Sequence, residues 1–505
     1  MKKLALIILD GWGVAASWGG NAVSTARPAN FYKLLRTYPN TTVEASGTFV
    51  GLPGDEVGNS EVGHMNLGSG NIIEQAVSVI NKSIEDGDFF KNKVLIEAIQ
   101  GSKQKGTNLH LLGILSDASI HANINHLLAL IKLSCELKHQ KVFLHLFTDG
   151  RDNAPYHGLD LINEVEKACN KNGCGKIATI MGRVMLDRKG NWLRTLAAYN
   201  ALLFGTGRKS TNALSAMSQA YREGETDEYL SPIIINNTAR FQDDDTLIFF
   251  NFRSDRTRQM TQALMSNNFN RFKRNKTVKL NLITFIPYGI EKELNIPSKS
   301  VFAPKPIDNT IGGFYAINNL KQFHIAETEK FAHVTFFING NRQSPYKLED
   351  RLLIPSPSVA SYAQKPQMSA EGVKNALVSH IKNSDYHFYI CNFANGDMVG
   401  HTGDFRAALA AVSTIDALLK ELAQVCLDTQ TTLVITADHG NVEQMVNPVY
   451  GGIDTEHTNN PVPFIIVDQD KSIRIKNGGR LSNVASTCLK LSGFESPKYF
   501  DESLI

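Results

Sequence analysis

The sequence predicts an α/β sandwich with a second α/β domain inserted into it, and three observations carry that reading. Short, apolar, β-rich runs recur along the chain and each stops at a polar residue. Segments with apolar residues at helical spacing lie between them. The runs fall into two series whose terminal residues differ in chemistry. The chain has 505 residues, 42% hydrophobic and 20% charged, which suits a soluble globular enzyme of roughly two to four domains and excludes disorder.

The first run, "LALIILD", follows two lysines like a secretory leader, but it is short for one and closes on Asp10, so it reads as a strand. Next comes the turn-rich "GLPGDEVGNSEVGH", which places Ser60 where a helix begins. On these residues alone helix capping is the better explanation of Ser60, and a case for nucleophilic chemistry must come from elsewhere in the chain. The middle of the chain holds "NLHLLGILSD", "KVFLHLFTDGRD", "KIATIMGR" and "TLIFFNFRSDR", whose terminal charges include arginines. The outer runs resume with "YICNFANGD", ending at Asp397, and "TLVITADHGN", ending at Asp438 and His439, with a helix predicted over 407–425 between them. The expected crossings lie near Glu74 and in the proline-punctuated 301–310, giving segments 1–74, 75–305 and 306–505. Ligand sites of open α/β sheets lie beyond the carboxyl ends of the strands, so these distant polar residues are expected on common edges.

Composition excludes several function classes. With 52 basic and 49 acidic residues the net charge is +3, which does not suggest a nucleic-acid partner. No apolar run approaches the ~20 residues that span a bilayer, so no membrane partner and a cytosolic location are expected. Six cysteines without a CxxC pair fit buried thiols in a reducing compartment and not a zinc ribbon.

The outer segments bring together Asp10, Asp397, His401, Asp438, His439 and His457, six nitrogen or oxygen donors, enough for two metals. Asp397 and His401 are four apart and can share one side of a helical turn. Carboxylate and imidazole without thiolate suit Mn²⁺, Zn²⁺ or Mg²⁺. A serine hydroxyl at a helix start beside two divalent ions is a nucleophile toward phosphorus, which implies phosphoryl transfer.

"GNSEVGH", "GDMVGH", "TADHGN" and "EHTNNPVPF" resemble the alkaline phosphatase superfamily. Together with "TDGRD", "FFNFRSDRTRQ", "AETEKFAHVTFF" and "EDRLLIPSP" they closely resemble the 2,3-bisphosphoglycerate-independent phosphoglycerate mutases, nearly end to end. The resemblance implies an alkaline phosphatase-like metal domain interrupted by a substrate-binding transferase domain. It also implies interconversion of 3- and 2-phosphoglycerate in glycolysis and gluconeogenesis through a phosphoserine at Ser60. Two Mn²⁺ ions would serve it, with Zn²⁺, Mg²⁺ or Co²⁺ as alternatives and no bisphosphoglycerate. By similarity, Asp397, His401 and His457 hold one ion and Asp10, Ser60, Asp438 and His439 the other. The resemblance also implies that Lys330 neutralises charge on the moving phosphoryl group. It implies further that His121, Arg151, Asp152, Arg183, Arg188, Arg253 and Arg256, with Lys330, would bind substrate and that the inserted domain would close over glycerate. A monomer is expected. The chain departs from the family where "SDASIHAN" replaces the usual "SDGGVHSH", and where "GRVMLDR" is one residue shorter than "GRYYAMDR".

Overall fold

The computed structural model describes all residues but 1, 55, 304–306 and 308, and leaves the side chains of 291 and 292 aside. The strands in chain order are β1 (Lys3–Leu9), β2 (Asn40–Val43), β3 (Leu109–Leu115), β4 (Val142–Thr148), β5 (Lys176–Gly182), β6 (Arg208–Lys209), β7 (Ile233–Ile234) and β8 (Thr246–Phe249). They continue with β9 (Asn281–Thr284), β10 (Lys299–Ser300), β11 (Gln322–Glu327), β12 (Glu349–Ile354), β13 (Phe388–Phe393), β14 (Thr431–Thr436) and β15 (Val462–Val467). The chain forms two compact units, one of Met1–Gln75 with Lys305–Ile505, the other of Ala76–Pro304. The connection expected within 301–310 lies partly outside the described residues.

In the first unit the sheet runs β12-β11-β13-β1-β14-β15-β2. The first five strands are mutually parallel, and β15 turns antiparallel to β14. Its central strands are apolar along their length because both faces are covered, so "LALIIL" shows no alternation. The helix Phe405–Asp428 is one cover. It begins slightly before the predicted 407–425 because Asp404 caps it, accepting from Ala407 N at 3.0 Å, and it buries Ala408, Ala411, Ile415, Leu419 and Leu422. The second unit has its own core and the sheet order β10-β9-β8-β3-β4-β5-β7-β6, parallel throughout except where β7 joins β5.

The cysteines require a correction. Cys135 and Cys174 form a disulfide, while Cys169, Cys391, Cys426 and Cys488 are buried thiols. The pair is 39 residues apart and is brought together by the packing of helices Ile124–Glu136 and Gly158–Asn172, which cysteine spacing does not reveal. Cysteine usage therefore does not argue for a reducing compartment. Among the described residues no helix is long and apolar enough to cross a membrane.

Candidate active site

Four adjacent parallel strands of the first unit deliver polar residues to one sheet edge. Asp10 follows β1, Asp397 lies in the short helix Asn395–Gly400 after β13 with His401 directly behind it, Asp438 and His439 follow β14, and Lys330 ends a 3₁₀ turn after β11. Ser60 is the first residue of helix Ser60–Ser69, but the capping belongs to Asn59, whose side chain accepts from Val62 N at 3.0 Å. The Ser60 hydroxyl is left for the cluster. It lies 3.2 Å from Asp10 Oδ1 and 2.9 Å from His439 Nε2, and it accepts from Lys330 Nζ at 2.7 Å. The same ammonium donates at 2.7 Å to Asp10 Oδ1 and to Asp397 Oδ2.

His401, His439 and His457 each have Nδ1 against a backbone carbonyl, of Thr455 at 2.7 Å, Gly440 at 3.2 Å and Gly58 at 2.7 Å. A carbonyl only accepts, so each Nδ1 carries its proton, and a ring in its neutral form presents an Nε2 lone pair; Asp397 raises His401 and His457, so a bound cation there would displace a proton. His401 Nε2 and His457 Nε2 lie 3.0 Å apart, at 3.1 and 3.0 Å from Asp397 Oδ1. Lone pairs and a carboxylate oxygen converging in this way call for a cation. A buried Asp438 Oδ2 without a hydrogen-bond partner makes the same demand. The donor groups Asp397, His401, His457 and Asp10, Asp397, His439 each lie within 4.8 Å of one another. These residues fit divalent ions held by oxygen and nitrogen.

The electrostatics agree. Burial, reinforced by Asp438 and Asp397 and opposed by Lys330, pushes the Asp10 carboxyl up to about 7. Against burial, the surrounding aspartates hold Lys330 firmly charged. Burial lowers His439 to about 4, keeping it neutral. Three carboxyl groups around one ammonium leave excess negative charge in a buried place.

In the second unit, His121 follows β3, Arg151 and Asp152 follow β4, Arg183 and Arg188 follow β5, and Arg253 and Arg256 follow β8. The strand order β8-β3-β4-β5 puts all of them at one edge. Arg183 is buried, paired with Asp149 and, at 2.7 Å, with Asp152 Oδ2. Arg188 pairs with Asp255, and His121 Nδ1 lies 3.2 Å from Asp255 Oδ1. Arg151 and Arg253 are exposed, with carboxylates no nearer than 3.7 Å to Arg151 and 3.8 Å to Arg253 among their ion pairs. Burial and the charges of Arg183 and Arg188 lower the Arg256 guanidinium to about 10, as in a cluster that favours an anion.

Sequence reasoning passed over His64, Asn392 and Asp255. His64 Nδ1 donates to the Ser60 carbonyl at 2.8 Å, and its Nε2 accepts from Asn392 Nδ2 at 3.1 Å; that amide also donates to Asp10 Oδ2 at 2.6 Å. His64 stood inside "GNSEVGH" and Asp255 inside "NFRSDR", so their place in those runs was the available signal.

A catalytic-type serine among aspartates and histidines at the carboxyl edge of a parallel sheet is the arrangement of a metalloenzyme, and a model of the metalloenzyme superfamily matches residues 2–496. A 2,3-bisphosphoglycerate-independent phosphoglycerate mutase of Clostridium perfringens is 43% identical, covering 98% of this chain and 97% of its own. One of Methanosarcina barkeri is 44% identical over 100% and 98%. A Leishmania mexicana phosphoglycerate mutase, crystallised at low cobalt concentration, superposes with a TM-score of 0.75 at 29% identity, over 100% of this chain and 97% of that one. The chain belongs to the family of 2,3-bisphosphoglycerate-independent phosphoglycerate mutases, metal-dependent enzymes of that superfamily.

Proposed function

We propose that the chain interconverts 3-phosphoglycerate and 2-phosphoglycerate through a phosphoserine at Ser60, without bisphosphoglycerate. The observation that carries the reading is the Ser60 hydroxyl, held within 3.2 Å of Asp10, His439 and Lys330 at the edge where the metal-type donors gather. Asp397, His401 and His457 would hold one divalent ion, and Asp10, Ser60, Asp438 and His439 a second, with Mn²⁺ the preferred occupant. When bound, such ions supply Lewis acidity toward phosphoryl oxygens and favour ionisation of a serine hydroxyl.

Ser60 Oγ gives up its proton and forms a bond to phosphorus as the bond to the 3-oxygen of the substrate breaks; that oxygen takes up a proton. Glycerate reorients, and its 2-oxygen loses a proton and takes the phosphoryl group back, restoring the serine. Lys330 neutralises charge on the group in flight. In the domain of residues 75–305, Arg151, Arg183, Arg188, Arg253 and Arg256 engage phosphate and carboxylate through guanidinium forks, and His121 and Asp152 orient the glycerate hydroxyls.

The test is an enolase-coupled assay with no added bisphosphoglycerate. Activity is expected, is lost on chelation and returns with Mn²⁺. Ser60→Ala should abolish it with the fold intact. A Ser60→Ala enzyme within tenfold of the parent in metal-replete buffer would refute the phosphoserine route, and phosphate release without 2-phosphoglycerate would mark a phosphatase.

A further inference from the structure

Glu443 takes part in no step above, yet its buried carboxyl group accepts four hydrogen bonds. Gly13 N at 2.9 Å and Asn441 N at 2.8 Å donate to Oε2; Asn460 Nδ2 at 2.9 Å and the Thr458 hydroxyl donate to Oε1. Asn460 N donates to that hydroxyl at 3.2 Å, which turns the hydroxyl proton toward Glu443. The donors lie on three separate loops. Gly13 is three residues beyond Asp10, Asn441 two beyond His439, and Thr458 and Asn460 one and three beyond His457.

The loops are cut to this side chain. A Cβ on Gly13 would lie 2.3 Å from Glu443 Cδ, and one on Gly440 would lie 2.3 Å from Glu443 Oε1 and 2.3 Å from Thr458 Oγ1. Only glycine therefore lets the Asp10 and His439 loops reach the carboxyl group.

We infer that Glu443 is a positioning residue for both metal-ligand groups, tying the loops of Asp10, His439 and His457 to one another. The inference rests on the two-ion reading of the site. Ligands are held in place by such outer hydrogen bonds, and their loss typically costs 10–100-fold in metal affinity. Because Asp10 and His439 serve one group and His457 the other, removing the carboxyl group should weaken both. Removing the Thr458 hydroxyl cuts only one tie to the His457 loop and should weaken one.

The experiment is titration of metal-free protein with Mn²⁺, followed by calorimetry and by the electron paramagnetic resonance of bound Mn²⁺. It compares the parent, Glu443→Gln, Thr458→Val and Leu419→Ala, the last a core truncation in the helix Phe405–Asp428. The parent should bind two ions. Glu443→Gln, whose amide turns a donor toward donors, should lose about tenfold or more at both. Thr458→Val should lose affinity at one. Leu419→Ala should lower the melting temperature and keep both affinities within threefold. In assay, Glu443→Gln should need more Mn²⁺ for full kcat while its KM for 3-phosphoglycerate stays within threefold. Glu443→Gln binding both ions within threefold of the parent overturns the inference, as does an equal loss in Leu419→Ala. If Glu443→Gln yields no folded protein, Thr458→Val decides: weakening of one ion supports the inference, and unchanged binding of both overturns it. A parent that binds fewer than two Mn²⁺ overturns the two-ion reading and the inference with it.

Discussion

Ser119 adopts φ of +60°, the left-handed region, in the stretch where the family usually has glycine. Such a conformation costs a non-glycine residue about 1 kcal/mol. The cost is offset nearby: Asn123, standing where the family has histidine, donates from Nδ2 to Ser119 Oγ at 2.8 Å, while its Oδ1 caps the helix Ile124–Glu136. Within "SDASIHAN", positions 119 and 123 are thus linked by one hydrogen bond. A hydrogen bond of this kind contributes about 1 kcal/mol, so Ser119→Gly, losing the bond and the strain together, should unfold in urea within about 1 kcal/mol of the parent. Ser119→Ala keeps the strain and loses the bond, and should be about 1 kcal/mol less stable; equal stability of the alanine variant would show that the bond contributes nothing. At Arg253 the exposed guanidinium has Asp255 only at 3.8 Å. Arg253→Ala should therefore leave the melting temperature and metal content unchanged. Losing a fork partner to a desolvated anion costs about 2–5 kcal/mol, roughly 30-fold or more in kcat/KM. Free phosphate should also rise as a share of products. Unchanged kcat/KM with metals retained would make Arg253 a bystander.

Strand β11 ends on Glu327, buried where it accepts from Ser356 Oγ at 3.0 Å and, weakly, from Ser369 N at 3.3 Å. Burial raises its carboxyl from 4.5 to about 7, more than these donors offset. A buried acid of raised pKa folds best when protonated, so its contribution to stability is complete below about pH 4.5 and is lost as pH rises through about 7. Relative to Glu327→Gln, the parent should lose up to about 2 kcal/mol of unfolding free energy between pH 5 and pH 8. Parallel pH profiles for the two proteins would contradict this. The strand itself was not read from the sequence: "QFHIAE" carries Gln322 and His324 among its apolar residues, and its end entered only through the family-like run "AETEKFAHVTFF". Nor were its neighbours Ser356 and Ser369 legible, because they come from connections whose path no periodicity specifies.

Each unit has its own hydrophobic core, and the disulfide belongs to the second. It closes a separation of 39 residues, and such a link stabilises by about 2–4 kcal/mol through the unfolded chain. Reduction, or Cys135→Ser with Cys174→Ser, should lower the calorimetric transition of the second unit and leave that of the first in place. A shift in the first unit alone would place the effect elsewhere.

The amino-acid order by itself determined β1, β3, β4, β5, β8, β13 and β14 and where they stop, because a strand covered on both faces must be apolar along its length and its end is where polarity can resume. Asp10, Asp397, Asp438 and His439 were legible for that reason. The helix start at Ser60 was legible from its neighbours, but whether its hydroxyl serves a cap or a site was not. Only the tertiary structure decided which edge neighbours which: that Lys330, 270 residues from Ser60, donates to its hydroxyl, that Asn59 rather than Ser60 caps the helix, that Cys135 meets Cys174, and that one carboxyl group at Glu443 gathers three loops. These depend on strand order and helix packing, and residues far apart along the chain leave no periodic trace of the contacts they make in space.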